Sequence, residues 1–181
     1  MEITRIFDIL ELHKTLIKPD ALCGKSNGDW QKISNSEFVE NTDFFSNALM
    51  SLGISKDDKI ALISPNCPEW NIIDLGIIQI GAVTVPIYPN ISESEYKYIL
   101  THSDAKLVFI YSETIYNKIK NILPKSNIVF IITEIIKYGR HDINLLGNCY
   151  GIHSTNIASR FIENNGHRKI SHIVFKFRTL V

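Results

Sequence analysis

Cys67 sits in Ser64-Pro65-Asn66-Cys67-Pro68, at a strand-to-helix junction. A helix N-terminus lowers a thiol's pKa, which makes this residue a candidate nucleophile. No histidine neighbours it in the sequence to take its proton, and the competing reading is a structural thiol of the kind common in cores. Trp70, three residues on, offers a flat apolar wall to a ligand or simply volume to a core. Gly24-Lys25-Ser26 has the ending of a phosphate-binding loop, but the glycine such a loop needs five residues earlier is Pro19. Cys149, His153, His167 and His172 are spaced loosely like the ligands of a zinc module, without a ββα finger around them. Val174-Phe175-Lys176-Phe177-Arg178 alternates aromatic and basic side chains, as a strand stacking on nucleic-acid bases does, or as a half-exposed edge strand does. None of these completes a reaction centre, so no catalytic, cofactor-binding or metal-ligating residue is assigned.

The elements that would position such residues follow from composition and period. The 181 residues are 45% hydrophobic, and 19 basic side chains balance 19 acidic ones. This is a globular composition, long enough for one domain with a real core and no disulfide or metal staple. Zero net charge gives no reason to expect nucleic acid or an anionic membrane surface as a partner. There is no basic leader followed by an apolar run, and no stretch approaches the ~20 apolar residues of a membrane span. The expected location is therefore cytoplasmic. Three widely separated cysteines, Cys23, Cys67 and Cys149, fit reduced thiols in a core better than a disulfide framework.

Along the chain, Ile6, Ile9, Leu10, His13 and Ile17 mark one face of a helix over 5–17, closed by Pro19. Residues 21–25 and 30–33 flank Asn27-Gly28, the signal for a tight hairpin. Ser34 and Glu37 form a capping box for a helix whose buried face is Phe38, Thr42, Phe45, Leu49 and Leu52, with Gly53 at its end. Strands are expected at 59–63, 82–88, 106–111 and 128–132, and helices at 69–80, from Ser92 through Leu100, and at 112–123. Pro86 within the second of these strands implies that its backbone donor is not needed there. The helix 69–80 is apolar around most of its circumference and must be covered on more than one side. Near-continuously apolar strands alternating with helices read as α/β: a parallel sheet flanked by helices, with an N-terminal β-hairpin.

From about residue 140 the composition shifts. Residues 1–139 hold 12 lysines and one arginine, whereas 140–181 hold two lysines, four arginines and four of the six histidines. The chain therefore divides at Gly139, into 1–139 and a tail of uncertain structure, 140–181.

The stretch Trp30 to Tyr111 resembles the start of an AMP-forming long-chain fatty acid-CoA ligase of the adenylate-forming superfamily. The resemblance rests on Trp30-Gln31-Lys32-Ile33-Ser34, Asp58-Lys59-Ile60-Ala61-Leu62-Ile63-Ser64, Asn66-Cys67-Pro68-Glu69-Trp70, Gly81-Ala82-Val83-Thr84-Val85-Pro86-Ile87-Tyr88-Pro89 and Ser103-Asp104-Ala105-Lys106-Leu107-Val108-Phe109, in that order. It implies that residues 1–139 are a partial AMP-binding region, an incomplete N-terminal subdomain of that fold. It also implies a fatty acid and CoA as substrates, with ATP and magnesium. In the reaction the carboxylate attacks the α-phosphate of ATP to give an acyl-adenylate and pyrophosphate, and the CoA thiol then displaces AMP.

That chemistry needs a Ser/Thr/Gly-rich loop with a lysine for the phosphates and a catalytic lysine on a mobile C-terminal domain. The sequence contains neither motif. The resemblance fades between Leu123 and Gly139, and the tail reads either as a divergent ending or as a frameshift. The expectation is a truncated fragment, inactive alone and prone to self-association through exposed apolar surface, because the helix 69–80 would be covered by later sequence. The alternative is a small non-enzymatic α/β binding or interaction module derived from such a ligase.

Overall fold

Four strands as apolar as Lys-Ile-Ala-Leu-Ile and Leu-Val-Phe-Ile are stable only with both faces covered, and the computed structural model covers both. It describes residues 3–26, 28–123 and 128–131. A 3₁₀ turn, Ile6–Asp8, leads into α1 (Ile9–Thr15). Then come β1 (Leu22–Ser26), β2 (Asp29–Ile33), α2 (Asn35–Ser51), β3 (Lys59–Ile63), α3 (Pro68–Gln79) and β4 (Val83–Ile87). The described chain continues with α4 (Glu93–Ser103), β5 (Leu107–Ile110), α5 (Glu113–Ile119) and β6 (Ile128–Ile131).

β3 to β6 form a parallel sheet in the order β4-β3-β5-β6. Alternate residues of each strand face opposite sides. Ile60, Leu62, Leu107 and Phe109 meet Phe45 and Leu49 of α2 and Ile73 and Ile77 of α3. On the other face Ala61, Ile63, Val108 and Ile110 meet Tyr96 and Leu100 of α4 and Ile119 of α5. The helix after β3 thus lies on one face and those after β4 and β5 on the other, so the sheet is doubly wound and the chain reverses direction between β3 and β5.

β1 and β2 form the expected antiparallel hairpin, with Ser26 opposite Asp29 and Gly28 at φ 92°. Both capping boxes are present. Ser34 accepts from the Glu37 amide while Glu37 accepts from Ser34, and Ser92 and Glu95 do the same. Pro86 also behaves as expected. The Val83 amide points inward, donating to Asp58 O, so by the two-residue period the Pro86 nitrogen faces the outer side of β4, which has β3 as its one partner among the described residues.

Four readings need correction. The first helix stops at Thr15, and its buried side is Leu10 with Phe7 packed beside it; Ile6, Ile9 and Ile17 are exposed. The 3₁₀ turn shifts the phase of the face. The end is set by Asn35, which is buried: its Nδ2 donates to His13 O and Leu16 O, and its Oδ1 accepts from Lys18 N. Second, α4 runs to Ser103, three residues past Leu100, and is closed by Asp104 in the left-handed region at φ 53°. Third, α5 is the seven residues Glu113–Ile119 rather than 112–123. Fourth, α3 is covered by what precedes it. Ile72 packs against Leu10, Phe38 and Val39, α3 also meets β1, and within α3 only Asn71 is exposed.

Close packing of α2 on α3 depends on Gly76. A Cβ there would stand 2.7 Å from Phe45 Cδ1 and 3.3 Å from Thr42 O. Ser46 Oγ, buried beside it, lies 3.0 Å from Gly76 O and 2.8 Å from Gln79 Oε1, while Gln79 Nε2 donates to Asp43.

Candidate functional site

In a doubly wound sheet, ligands bind outside the carboxyl ends of the strands where the winding reverses. Here that place is bounded by the β3–α3 turn, Ser64 to Pro68, and by Tyr111-Ser112 after β5. The two segments are tied together, since Tyr111 N donates to Ile63 O at 2.8 Å. Ser64 is buried, its hydroxyl donating to Pro65 O at 2.8 Å and lying 3.5 Å from Cys67 Sγ. Cys67 is the N-cap of α3, with Pro68 in the first turn where its missing amide hydrogen costs nothing.

The electrostatics work against an activated thiol. Burial pushes the Cys67 thiol up, the Glu69 carboxylate adds to the rise, and the Ser64 hydrogen bond offsets part of it. A thiol held above its ordinary value stays protonated at neutral pH and is a poor nucleophile. Tyr111 is also raised, first by burial and then by the charges of Cys67 and Glu69. The described histidines are occupied elsewhere: His13 meets Phe38 edge-on and His102 stacks on Tyr98. The switch point therefore presents a neutral thiol, a hydroxyl, a phenol and one carboxylate.

This set does not fit the phosphates of ATP. Two prolines remove amide donors from the turn, Trp70 N is committed to Cys67 O at 3.1 Å, and Glu69 places negative charge in the first turn of α3. Anion binding at a helix N-terminus relies on free amides and positive potential. Among the described residues there is also no group of three or more His, Cys, Asp or Glu that could hold a metal ion.

The other sequence candidates resolve individually. Gly24 and Lys25 lie in β1. A Cβ on Gly24 would stand 2.8 Å from Pro68 Cδ, so this glycine lets the hairpin approach the start of α3, and Lys25 Nζ sits 5.3 Å over the Trp30 ring. Trp70 packs against the core formed by α2, α3 and the sheet, as the core reading holds. Cys23 is exposed on β1, against the expectation of a core thiol, because its position on the two-stranded hairpin faces solvent. Cys149, His153, His167, His172 and residues 174–178 lie outside the described residues.

Sequence reasoning missed Glu69 and Tyr111 as members of the switch point; their position just after β3 and β5 was the available signal. It also missed a cleft of about 540 Å³ between the end of α1 and the outer side of α2, lined by His13, Leu16, Ile17, Val39, Asp43 and Phe44 among others. No periodicity marks that cleft.

Comparison with known proteins agrees with this architecture. The model of the AMP-binding enzyme family matches residues 15–144, running five residues past Gly139. The chain is 31% identical over 88 residues to the long-chain-fatty-acid–CoA ligase FadD15 of Mycobacterium bovis, covering 49% of this chain and 15% of that one. It is 35% identical over 96 residues to the crotonobetaine/carnitine–CoA ligase of Escherichia fergusonii, covering 53% and 18%. The aligned part is thus less than a fifth of the length of either relative. Among solved structures, the N-terminal domain of FACL13 from Mycobacterium tuberculosis superposes with a TM-score of 0.60 at 25% identity, over 71% of this chain and 34% of that one. IdnL1 superposes at 0.62 with 18% identity, over 72% and 26%. The doubly wound sheet, the hairpin ahead of it and a family match over residues 15–144 make this chain a member of the AMP-binding enzyme family.

Proposed function

We propose that this chain supplies the N-terminal scaffold of an acid–thiol ligase that activates a long-chain fatty acid, and that the 181 residues do not catalyse the reaction by themselves. The similarity to FadD15 supports the fatty acid as the acid substrate. The observation that carries the second half is the switch point, where two prolines and Glu69 stand where a triphosphate would need free amides and positive charge. In the proposed reaction a carboxylate oxygen bonds to the α-phosphorus of ATP and pyrophosphate leaves. The CoA sulfur then bonds to the acyl carbon and AMP leaves. ATP, magnesium and CoA belong to that reaction, and the reading places it in the cytoplasm. Purified chain supplied with palmitate, ATP and magnesium is expected to give no exchange of labelled pyrophosphate into ATP; measurable exchange overturns the scaffold reading.

The same reading takes residues 140–181 as out of the ligase frame, on the change from lysine-rich to arginine- and histidine-rich sequence. Genomic DNA read in three frames across codons 120 to 181 and onward tests it. A Ser/Thr/Gly-rich phosphate loop in a shifted frame is the expected result, and its absence from every frame removes the idea. Self-association through exposed apolar surface also belongs to this reading.

A further inference from the structure

We infer that residues 3–16 are a strap that lifts off the rest of the fold as a unit, turning at Ile17, and that the Asn35 side chain is its latch. The inference goes beyond the ligase reading and does not depend on it. Little holds the strap down by burial. Between Ile3 and Leu16 only Asp8 and Leu10 are buried, while Ile3, Ile6, Ile9, Leu12 and Leu16 face solvent. Leu10, with Phe7 beside it, seats against Phe38 and Val39 of α2 and Ile72 of α3. A helix of seven residues is too short to persist alone in water, so α1 unwinds once Leu10 leaves this seat. Segments with few buried apolar contacts open locally at a fraction of the free energy of global unfolding.

The hydrogen bonds divide in the same way. Thr4 and Arg5 donate to Asp8, Lys14 to Glu11 and Thr15 to Leu12 O, so these contacts travel with the strap. Asn35 makes the bonds that cross to the body: its Nδ2 donates to His13 O and Leu16 O, one acceptor for each hydrogen. The rest of Asn35 holds the fixed end of the linker. Its Oδ1 accepts from Lys18 N at 2.7 Å and its backbone N donates to Lys18 O at 2.9 Å, so Lys18 stays in place when the latch opens. Between the last latched carbonyl and that anchor lies one residue, Ile17, which is 101% exposed. Opening also relieves a cost. His13 Nδ1 is buried without a partner among the described residues, and it gains water when the strap lifts. Closed, α1 fills the groove of Phe38, Val39 and Ile72; open, that groove is bare.

Hydrogen–deuterium exchange of the whole chain, read by peptide mass spectrometry, tests the inference. The amides of α1 are expected to exchange together, at least ~hundredfold faster than those of β3 and β5. Asn35→Asp keeps the acceptor for Lys18 N and places a carboxylate in the first turn of α2, where it is favourable, but it sets an oxygen against the two latched carbonyls. It is expected to speed exchange in α1 by at least ~tenfold and to leave α2, β3 and α3 unchanged. Leu10→Ala removes the seat rather than the latch and is expected to act on the same amides. Amides of α1 as protected as those of β3 overturn the inference, since opening then occurs only with global unfolding. Either substitution leaving α1 exchange unchanged overturns it too. So does either one speeding β3 and α3 as much as α1, because the segment is then part of the global fold and no strap.

Discussion

Replacing Gly76 by alanine sets two effects of opposite sign against each other. In a helix interior the change from glycine to alanine is worth about 1 kcal/mol in favour of the helix, through lost freedom of the unfolded chain. At this position the new methyl would stand 2.7 Å from Phe45 Cδ1 and 3.3 Å from Thr42 O. Phe45 has little room to retreat: it is buried, and its ring lies 5.2 Å from that of Phe109 on the sheet. Overpacking of this kind costs roughly 1–3 kcal/mol. The net expectation is a destabilisation of about 1 kcal/mol, read as a urea midpoint lower by roughly 0.5 M for a slope near 2 kcal/mol/M. In a Phe45→Leu background the clash is relieved, and the same substitution is expected to be neutral or stabilising. A midpoint at or above that of the unsubstituted chain would refute the claim that the close packing of α2 on α3 depends on Gly76.

Two further expectations concern titratable groups. The Asp8 carboxylate accepts from Arg5 and Thr4, with Arg5 the main cause, and is held well below the usual carboxylate range. A depressed folded-state pKa contributes stability above the unfolded value near 3.9, and that contribution is lost as pH falls below it. The stability difference between the native chain and Asp8→Asn should therefore be flat from pH 7 to 5 and shrink below about pH 4. A difference that grows on acidification would contradict the hydrogen-bond assignment. For Cys67, burial raises the thiol, so iodoacetamide at neutral pH should label the exposed Cys23 well before Cys67, as read by peptide mass spectrometry. Faster labelling at Cys67 would show an activated thiolate and reopen the switch point as a nucleophilic site.

Most of the fold was legible from local pattern. The capping boxes at Ser34 and Ser92, the β1–β2 hairpin with Gly28 at positive φ and the runs of apolar strand residues are decided within a few residues, so their chemistry is visible in order along the chain. Pro86 indicated a position whose backbone donor is not needed, and its nitrogen faces the side of β4 that has no partner strand among the described residues. Errors arose where a distant residue decides a local outcome. Asn35 ends α1 by taking carbonyls about twenty residues earlier in the chain, and no pattern in residues 5–17 announces that.

The candidate site was less legible for the same reason. Sequence identified the turn around Cys67 as chemically interesting, but the sign of its pKa shift depends on burial and on Glu69 and Ser64, which only packing sets. Tyr111 joins it only because β5 pairs beside β3 rather than beside β4. By itself the sequence determined the α/β class, the strand order along the chain and the missing phosphate-loop motif, since each depends on residue type and short-range spacing. The tertiary structure decided which face of α1 is bare, what covers α3 and which side chains share the switch point. Those outcomes depend on contacts between residues far apart in the chain, where hydrophobic burial is non-directional and topology chooses the partners.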